Sequence, residues 1–290
     1  MNYKIFITMT LTVLLAVEFS SAAGFTLKTD SIDIRDACQM MARAGRFNVV
    51  FHKSVRGKTA VSEQNNDPVL ALKKATKSVG LHAIEVKGTQ VSYPPDREIK
   101  TFLVTPKDMP PITLKIKTPA GYGFTLKNRD IDIRDIMQML ARVAKINVIF
   151  DKNVRGRTAV EVTRIHPLRC LELLCIAQGY KLNRFAGTPN TYIVAHRAVD
   201  KLVFDPQIDG RVPADFSIKH RDSDIRLLLR SIAEHAGIRL RIHNSVRGKI
   251  ACELKHLRPL EVLKMVAASN YLDVKAVNGE DKVYEVLLSQ

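Results

Sequence analysis

Asp132-Ile-Arg-Asp-Ile-Met-Gln-Met-Leu-Ala-Arg-Val-Ala-Lys-Ile-Asn-Val-Ile-Phe-Asp-Lys-Asn-Val-Arg-Gly156 holds a helix, a strand and a turn in succession. Ile133, Ile136, Met137, Leu140, Ala141 and Ala144 fall at helical spacing and make one apolar stripe. Asp132 stands just before the stripe, where a carboxylate accepts from the free N–H groups of a first helical turn. Asn147 to Phe150 is then a short strand. Val154-Arg-Gly156 follows where the chain must turn, and Gly156 is the residue type that enters positive φ without a Cβ penalty.

The same stretch occurs three times. Asp-Ile-Arg opens it at Asp33, Asp132 and Asp224, and Val-Arg-Gly closes it at Gly57, Gly156 and Gly248. Phe-Thr-Leu-Lys at 25–28 and 124–127, and Phe-Ser-Ile-Lys at 216–219, precede it as a strand, and Pro68, Pro167 and Pro259 follow each glycine at one spacing. The prolines suit the first turn of a second helix. Its buried face in the second copy is Leu168, Leu171, Leu174 and Cys175. A last pair of strands, as in Tyr180–Arg184 and Thr191–Ala195, completes the unit.

The expected class is therefore α+β, with three tandem small βαββαβ-type domains of two helices on a small mixed sheet. Their boundaries read as 25–95, 124–197 and 214–290. A Pro-rich linker, 96–123, and a second linker, 198–213, separate them. Thr101–Thr105, Ile112–Lys117 and Leu202-Val-Phe204 are strand-like pieces in these linkers that could instead join a neighbouring sheet.

Residues 1–23 have the layout of a cleaved signal peptide: Lys4, an apolar run from Ile5 to Val17, then Ser20, Ser21, Ala22 and Ala23. An uncleaved anchor is the alternative. The chain of 290 residues holds 45 Lys+Arg and 29 Asp+Glu, a formal charge of +16. A basic exported protein suits acidic partners, whether membrane surface, nucleic acid or protein. At 46% hydrophobic composition the chain should fold, while zero Trp and 6% aromatics argue against a base- or sugar-stacking platform.

No residue pattern points to catalysis: the nucleophile-elbow, phosphate-loop and zinc-protease motifs are missing from the sequence. The chain therefore reads as no enzyme, with no cofactor and no metal. Asp33, Asp132 and Asp224 read as helix caps rather than triplicate catalytic carboxylates. Cys38, Cys170, Cys175 and Cys252 align with Met, Leu, Val, Ala or Thr in the other copies and read as small core residues, with a disulfide as the rival in an oxidising compartment. The second copy is the most basic, 13 Lys+Arg against 6 Asp+Glu over 124–197. Arg134, Arg142, Arg155 and Arg157 are its candidate partner-binding residues.

The order βαββαβ with a basic balance also suits an RNA-recognition module, the alternative function. Its third strand should carry rings after an Arg-Gly start. Arg155-Gly-Arg-Thr-Ala-Val160 has the start but no rings, so nucleic acid is disfavoured. The Asp-Ile-Arg helix, Asn147 to Gly156, and the proline-started Leu-rich helix ended by Gly instead resemble the short N-terminal domain shared by secretins and TonB-dependent receptors. All three copies share the likeness, and the third departs with Arg239-Leu-Arg-Ile-His-Asn before its turn. The resemblance implies a periplasmic protein-interaction role with outer-membrane association and no chemistry of its own. Its partners would be periplasmic or membrane-anchored components of a secretin or TonB-type assembly. The family's long barrel region does not follow the third copy, so the expectation is an adaptor or accessory protein.

Overall fold

The computed structural model describes residues 16–18, 25–87, 99–114, 123–185, 188, 190–196, 204, 206 and 215–289. The first copy contains β2 (Phe25–Asp33), α1 (Ile34–Gly45), β3 (Asn48–Phe51), β4 (Lys58–Asn66), α2 (Pro68–Ser78), β5 (His82–Lys87) and β6 (Thr101–Thr105). The short strands β1 (Ala16–Glu18) and β7 (Ile112–Thr113) flank it. The second copy contains β8 (Phe124–Asp132), α3 (Ile133–Ala144), β9 (Asn147–Phe150), β10 (Arg157–Ile165), α4 (Pro167–Gln178), β11 (Lys181–Arg184) and β12 (Thr191–Ala195). In the third are β13 (Phe216–Asp224), α5 (Ile225–His235), β14 (Arg239–Ile242), β15 (Lys249–Leu257), α6 (Pro259–Ser269), β16 (Leu272–Ala276) and β17 (Val283–Leu288). The fold is α+β. The rest of the leader, residues 1–15 and 19–23, and most of both linkers lie outside the described residues.

Local chemistry explains the recurring helix start. The carboxylates of Asp33, Asp132 and Asp224 accept the backbone N–H of Arg35, Arg134 and Arg226 at 2.8, 2.9 and 2.8 Å. The first helical N–H of each, from Ile34, Ile133 and Ile225, goes to the carbonyl of Gly57, Gly156 and Gly248. These glycines have φ of 121°, 127° and 130°, so the turn both needs glycine and feeds the helix a second acceptor. Apolar stripes then bury one face, with Ile133, Ile136, Met137 and Leu140 fully enclosed in α3.

The chain divides into two compact units, residues 1–131 with 157–178, and residues 132–156 with 179–290. The division falls inside the second copy. In the first unit, β1, β2 and β4 form an antiparallel sheet, and a second sheet runs in the order β7-β5-β6-β3-β10-β8. In the second unit one sheet has the order β11-β12-β9-β15-β13 and another the order β14-β17-β16.

Two features depart from the sequence reading. Each copy does not lay two helices on one sheet: its first and third strands pair with each other, while its second strand joins the last two in a separate ladder. Thr101–Thr105, read as part of the 96–123 linker, is the middle strand β6, parallel to β3 and antiparallel to β5. Its all-buried Thr-Phe-Leu-Val-Thr needs neighbours on both sides. Ile112–Thr113 adds to the outer side of β5. Phe204, in the second linker, makes an isolated bridge to Val274.

The second helices begin differently from the first. Asp67 caps α2 through Val69 N–H at 2.8 Å, whereas at the equivalent place before α4 the imidazole Nδ1 of His166 accepts from Leu168 N–H at 3.2 Å. Only neutral imidazole can accept there. Burial, and next the Arg169 charge, hold the His166 pKa below its ordinary 6.5. A depressed histidine contributes stability above its unfolded pKa and loses it as pH falls from about 6.5 through the lower folded value. The variant His166→Asp keeps an acceptor in acid and is expected to gain about 1 kcal/mol near pH 5.5. Urea unfolding at neutral and acid pH checks this; an unchanged pH slope would count against the cap.

Candidate interaction surfaces

The second strand of one copy pairs with the third strand of the next. In the first unit β3 runs antiparallel to β10, with Val50 opposite Val160 and Val49 opposite Glu161. In the second unit β9 runs antiparallel to β15, with Ile149 opposite Cys252 and Val148 opposite Glu253. These are equivalent residues, given repeat offsets of 99 between Asp33 and Asp132 and 92 between Asp132 and Asp224. One joint is thus formed twice.

Side chains repeat as faithfully as the ladder. In the first joint Arg43 donates to both oxygens of Glu161 at 2.7 and 2.9 Å, and in the second Arg142 Nε lies 3.0 Å from Glu253 Oε2. Both glutamates are buried, so each needs its cation. Asp36 pairs with Arg129, and Asp135 with Arg221. Gln39 donates to the Asn128 carbonyl at 3.5 Å and Gln138 to that of His220 at 3.3 Å. Positions 36, 39 and 43 recur at i, i+3 and i+7, so one polar face of the first helix reads the strand pair of the next copy.

A side-chain amide closes each joint. Asn48 accepts Thr163 N–H at 2.6 Å and donates to the Thr163 carbonyl at 3.2 Å. Asn147 does the same to Lys255, at 2.8 and 3.2 Å. The second helix covers the strand from its other side: α4 packs on β3, and α6 on β9 and β12. That contact is why α4 and α6 are buried well round their circumference while α2 buries only Ala71, Leu72, Ala75 and Thr76. In the second unit a cleft of about 720 Å³ lies along the joint, lined by Arg142, Lys145, Asn147, Lys255 and Glu261 among others.

The two outer copies lack this code on the sides where, among the described residues, no further copy pairs. In the third copy the places of Asp135, Gln138, Arg142, Asn147 and Ile149 are taken by Leu227, Arg230, Glu234, Arg239 and Arg241. All five are exposed. Arg241 pairs with Glu280 at 2.6 Å, and a charged, short edge strand resists pairing. In the first copy the places of Glu161, Leu173 and Ile176 are taken by Ser62, Lys74 and Lys77, likewise exposed. Polar outer faces of this kind keep the end of a repeat array soluble.

The four candidate arginines have different surroundings. Arg134, only 16% exposed in its side chain, donates to the Arg221 carbonyl and lies 3.5 Å from Asp222, so with Arg142 it belongs to the second joint. Arg155 donates from Nε to the Lys152 carbonyl at 3.3 Å on its own turn. In the first unit, Arg157 meets Asp130 at 2.7 Å and holds that carboxyl below the usual range. Sequence reasoning passed over Asn48, Asn147, Gln39 and Gln138. Their signal was identity between the first two copies combined with loss in the third.

Other expected places are inert in character. Thr158, Ala159 and Val160, where an RNA-binding strand would present rings, are buried. All four cysteines are free and buried. Burial pushes Cys170 and Cys252 up to about 12 and raises Cys38 and Cys175 as well. Alkylation of the native protein near pH 8 should therefore label none of them, and unfolding should expose all. Mass spectrometry reads the number; prompt labelling of the native chain would contradict the burial. No group of three metal-type ligands and no helix long and apolar enough to cross a membrane occurs among the described residues. No family model and no curated protein matches the sequence.

Proposed function

We propose that the chain is a non-catalytic, exported protein-interaction protein, an adaptor or accessory of a secretin-like or TonB-linked outer-membrane assembly. The observation that supports this reading is the twice-formed joint. Strand addition, an arginine on a buried glutamate and an amide on a backbone are binding devices, and none of them holds or moves a reacting group. Residues 132–156 carry the resemblance that suggests the kind of assembly. The leader supports export to the periplasm, with cleavage before Gly24. Cleavage there removes β1 from the outer side of β2. An intact mass beginning at Gly24 is the expected result for the exported protein.

Changing Arg134, Arg142, Arg155 and Arg157 together would break the second joint as well as any docking surface. The cleaner probes are the exposed turn arginines Arg56, Arg155 and Arg247, one in each copy. Photo-crosslinking from these positions in the full-length exported protein should trap discrete envelope proteins. Tight, saturable binding of single-stranded DNA by the purified chain, with nothing crosslinked in the periplasm, would overturn this reading in favour of a nucleic-acid module.

A further inference from the structure

The first copy has a strand edge that its two successors use and that stays unpaired among the described residues. In β10 and β15 one edge pairs with β8 or β13 and the other with β3 or β9. Among the described residues β4 pairs only with β2. Its equivalent face, Ala60, Ser62 and Gln64, is exposed, whereas Ala159 and Glu161 in β10 are buried. Unlike the edge of β14, which presents Arg239 and Arg241, this face of β4 presents only small or uncharged side chains at 60, 62 and 64.

The cations around that edge have lost their acids. Lys127 lies 3.3 Å from Glu161; the equivalent pair in the first copy is Lys28 with Ser62. Arg157 pairs with Asp130 and Lys249 with Asp222; in the first copy the equivalent positions are Lys58 and Ser31. Lys77 stands where α4 has Ile176. Lys28, Lys58 and Lys77 are exposed and form no ion pair among the described residues. Serines stand where the other two copies carry acids, while the cations at the places of Lys28 and Lys58 are present in all three.

We propose that the free edge of β4 receives an extended acidic segment of a partner protein, added antiparallel as β3 adds to β10, with its carboxylates on Lys28, Lys58 and Lys77. This names the docking surface within the interaction reading above and rests on it. The edge supplies backbone hydrogen bonds, and the lysines supply selection for acid. A second copy of the chain fits poorly, because pairing β4 with β4 brings the same lysines together, and β14 would bring Arg239 and Arg241.

The test uses the full chain and two synthetic peptides carrying Asn-Val-Ile-Phe, the sequence of β9, flanked by glutamates in one and lysines in the other. The glutamate peptide should bind saturably and slow amide exchange at residues 58–64. Its affinity should fall at least about tenfold in Lys28→Glu/Lys58→Glu/Lys77→Glu, whose exposed positions leave thermal unfolding intact, and fall again with salt. The lysine peptide should bind more weakly still. No slowing at 58–64, or equal slowing by both peptides, overturns the proposal while the crosslinking result above stands by itself. Self-association of the chain through β4, seen by sedimentation, also overturns it by making a second copy the occupant.

Discussion

Giving the outer copies the inner code is expected to turn the protein into head-to-tail chains that lengthen with concentration. The third copy would take Leu227→Asp, Arg230→Gln, Glu234→Arg, Arg239→Asn and Arg241→Ile. The first would take Asp30→Arg, Ser62→Glu, Lys74→Leu and Lys77→Ile. Each change restores the residue type that stands at the equivalent place in a formed joint. The contact is heterologous, a front meeting a back, so nothing limits its growth unless a ring closes. Sedimentation velocity should show a ladder of oligomers for the variant and none from the same edges for the natural chain. Either half of the graft alone should stay unassembled, because one charged face still meets it. A fully grafted protein that sediments like the natural one would mean that charge at the outer copies is incidental.

Removing one amide should cost more in the first joint than in the second. Asn48 is 3% exposed, and besides Thr163 it reaches the hydroxyl of Thr101 at 3.3 Å. Asn48→Ala would leave the half-buried Thr163 N–H and carbonyl and the buried Thr101 hydroxyl without this partner, a loss of about 2–3 kcal/mol. Asn147 makes the same two bonds to Lys255 with water at hand. Asn147→Ala is expected to cost about 1 kcal/mol, since solvent replaces what is removed. Urea unfolding of the two full-length variants compares them directly. Equal losses would show that burial does not set the strength of this clasp.

Local signals in the sequence carried much of the fold. Asp132 before a stripe of 3.6-residue period, Gly156 after Val-Arg and Pro167 before a Leu-rich run each act through their own few neighbours. Threefold repetition separates them from chance. The joints were not legible in the same way. Asn147 reads as one polar residue at the head of an apolar strand, and nothing local says that it grips the backbone of Lys255, more than a hundred positions on. Arg142 looks like a solvated last-turn cation until Glu253 is found buried beneath it. Thr101–Thr105 was misplaced because prolines surround it, and only the vacant place beside β3 makes it a central strand. What the sequence did contain, and only the joint explains, is the pattern of departures in the third copy. Arg239 and Arg241 look like drift until the strand they occupy is seen to pair on one side only among the described residues, with β17.

Strand addition joins the copies, and among the described residues it leaves one edge of β4 open. Amide hydrogen exchange of the free, full-length protein tests this most directly. On β4, β10 and β15 the decisive amides are those facing away from β2, β8 and β13, over residues 60–64, 159–163 and 251–255. Slow exchange is expected on β10 and β15, and exchange faster by ~100-fold on β4, where local opening rather than global unfolding sets the rate. Protection on β4 equal to that on its two counterparts, or open-edge exchange on all three strands, would contradict it.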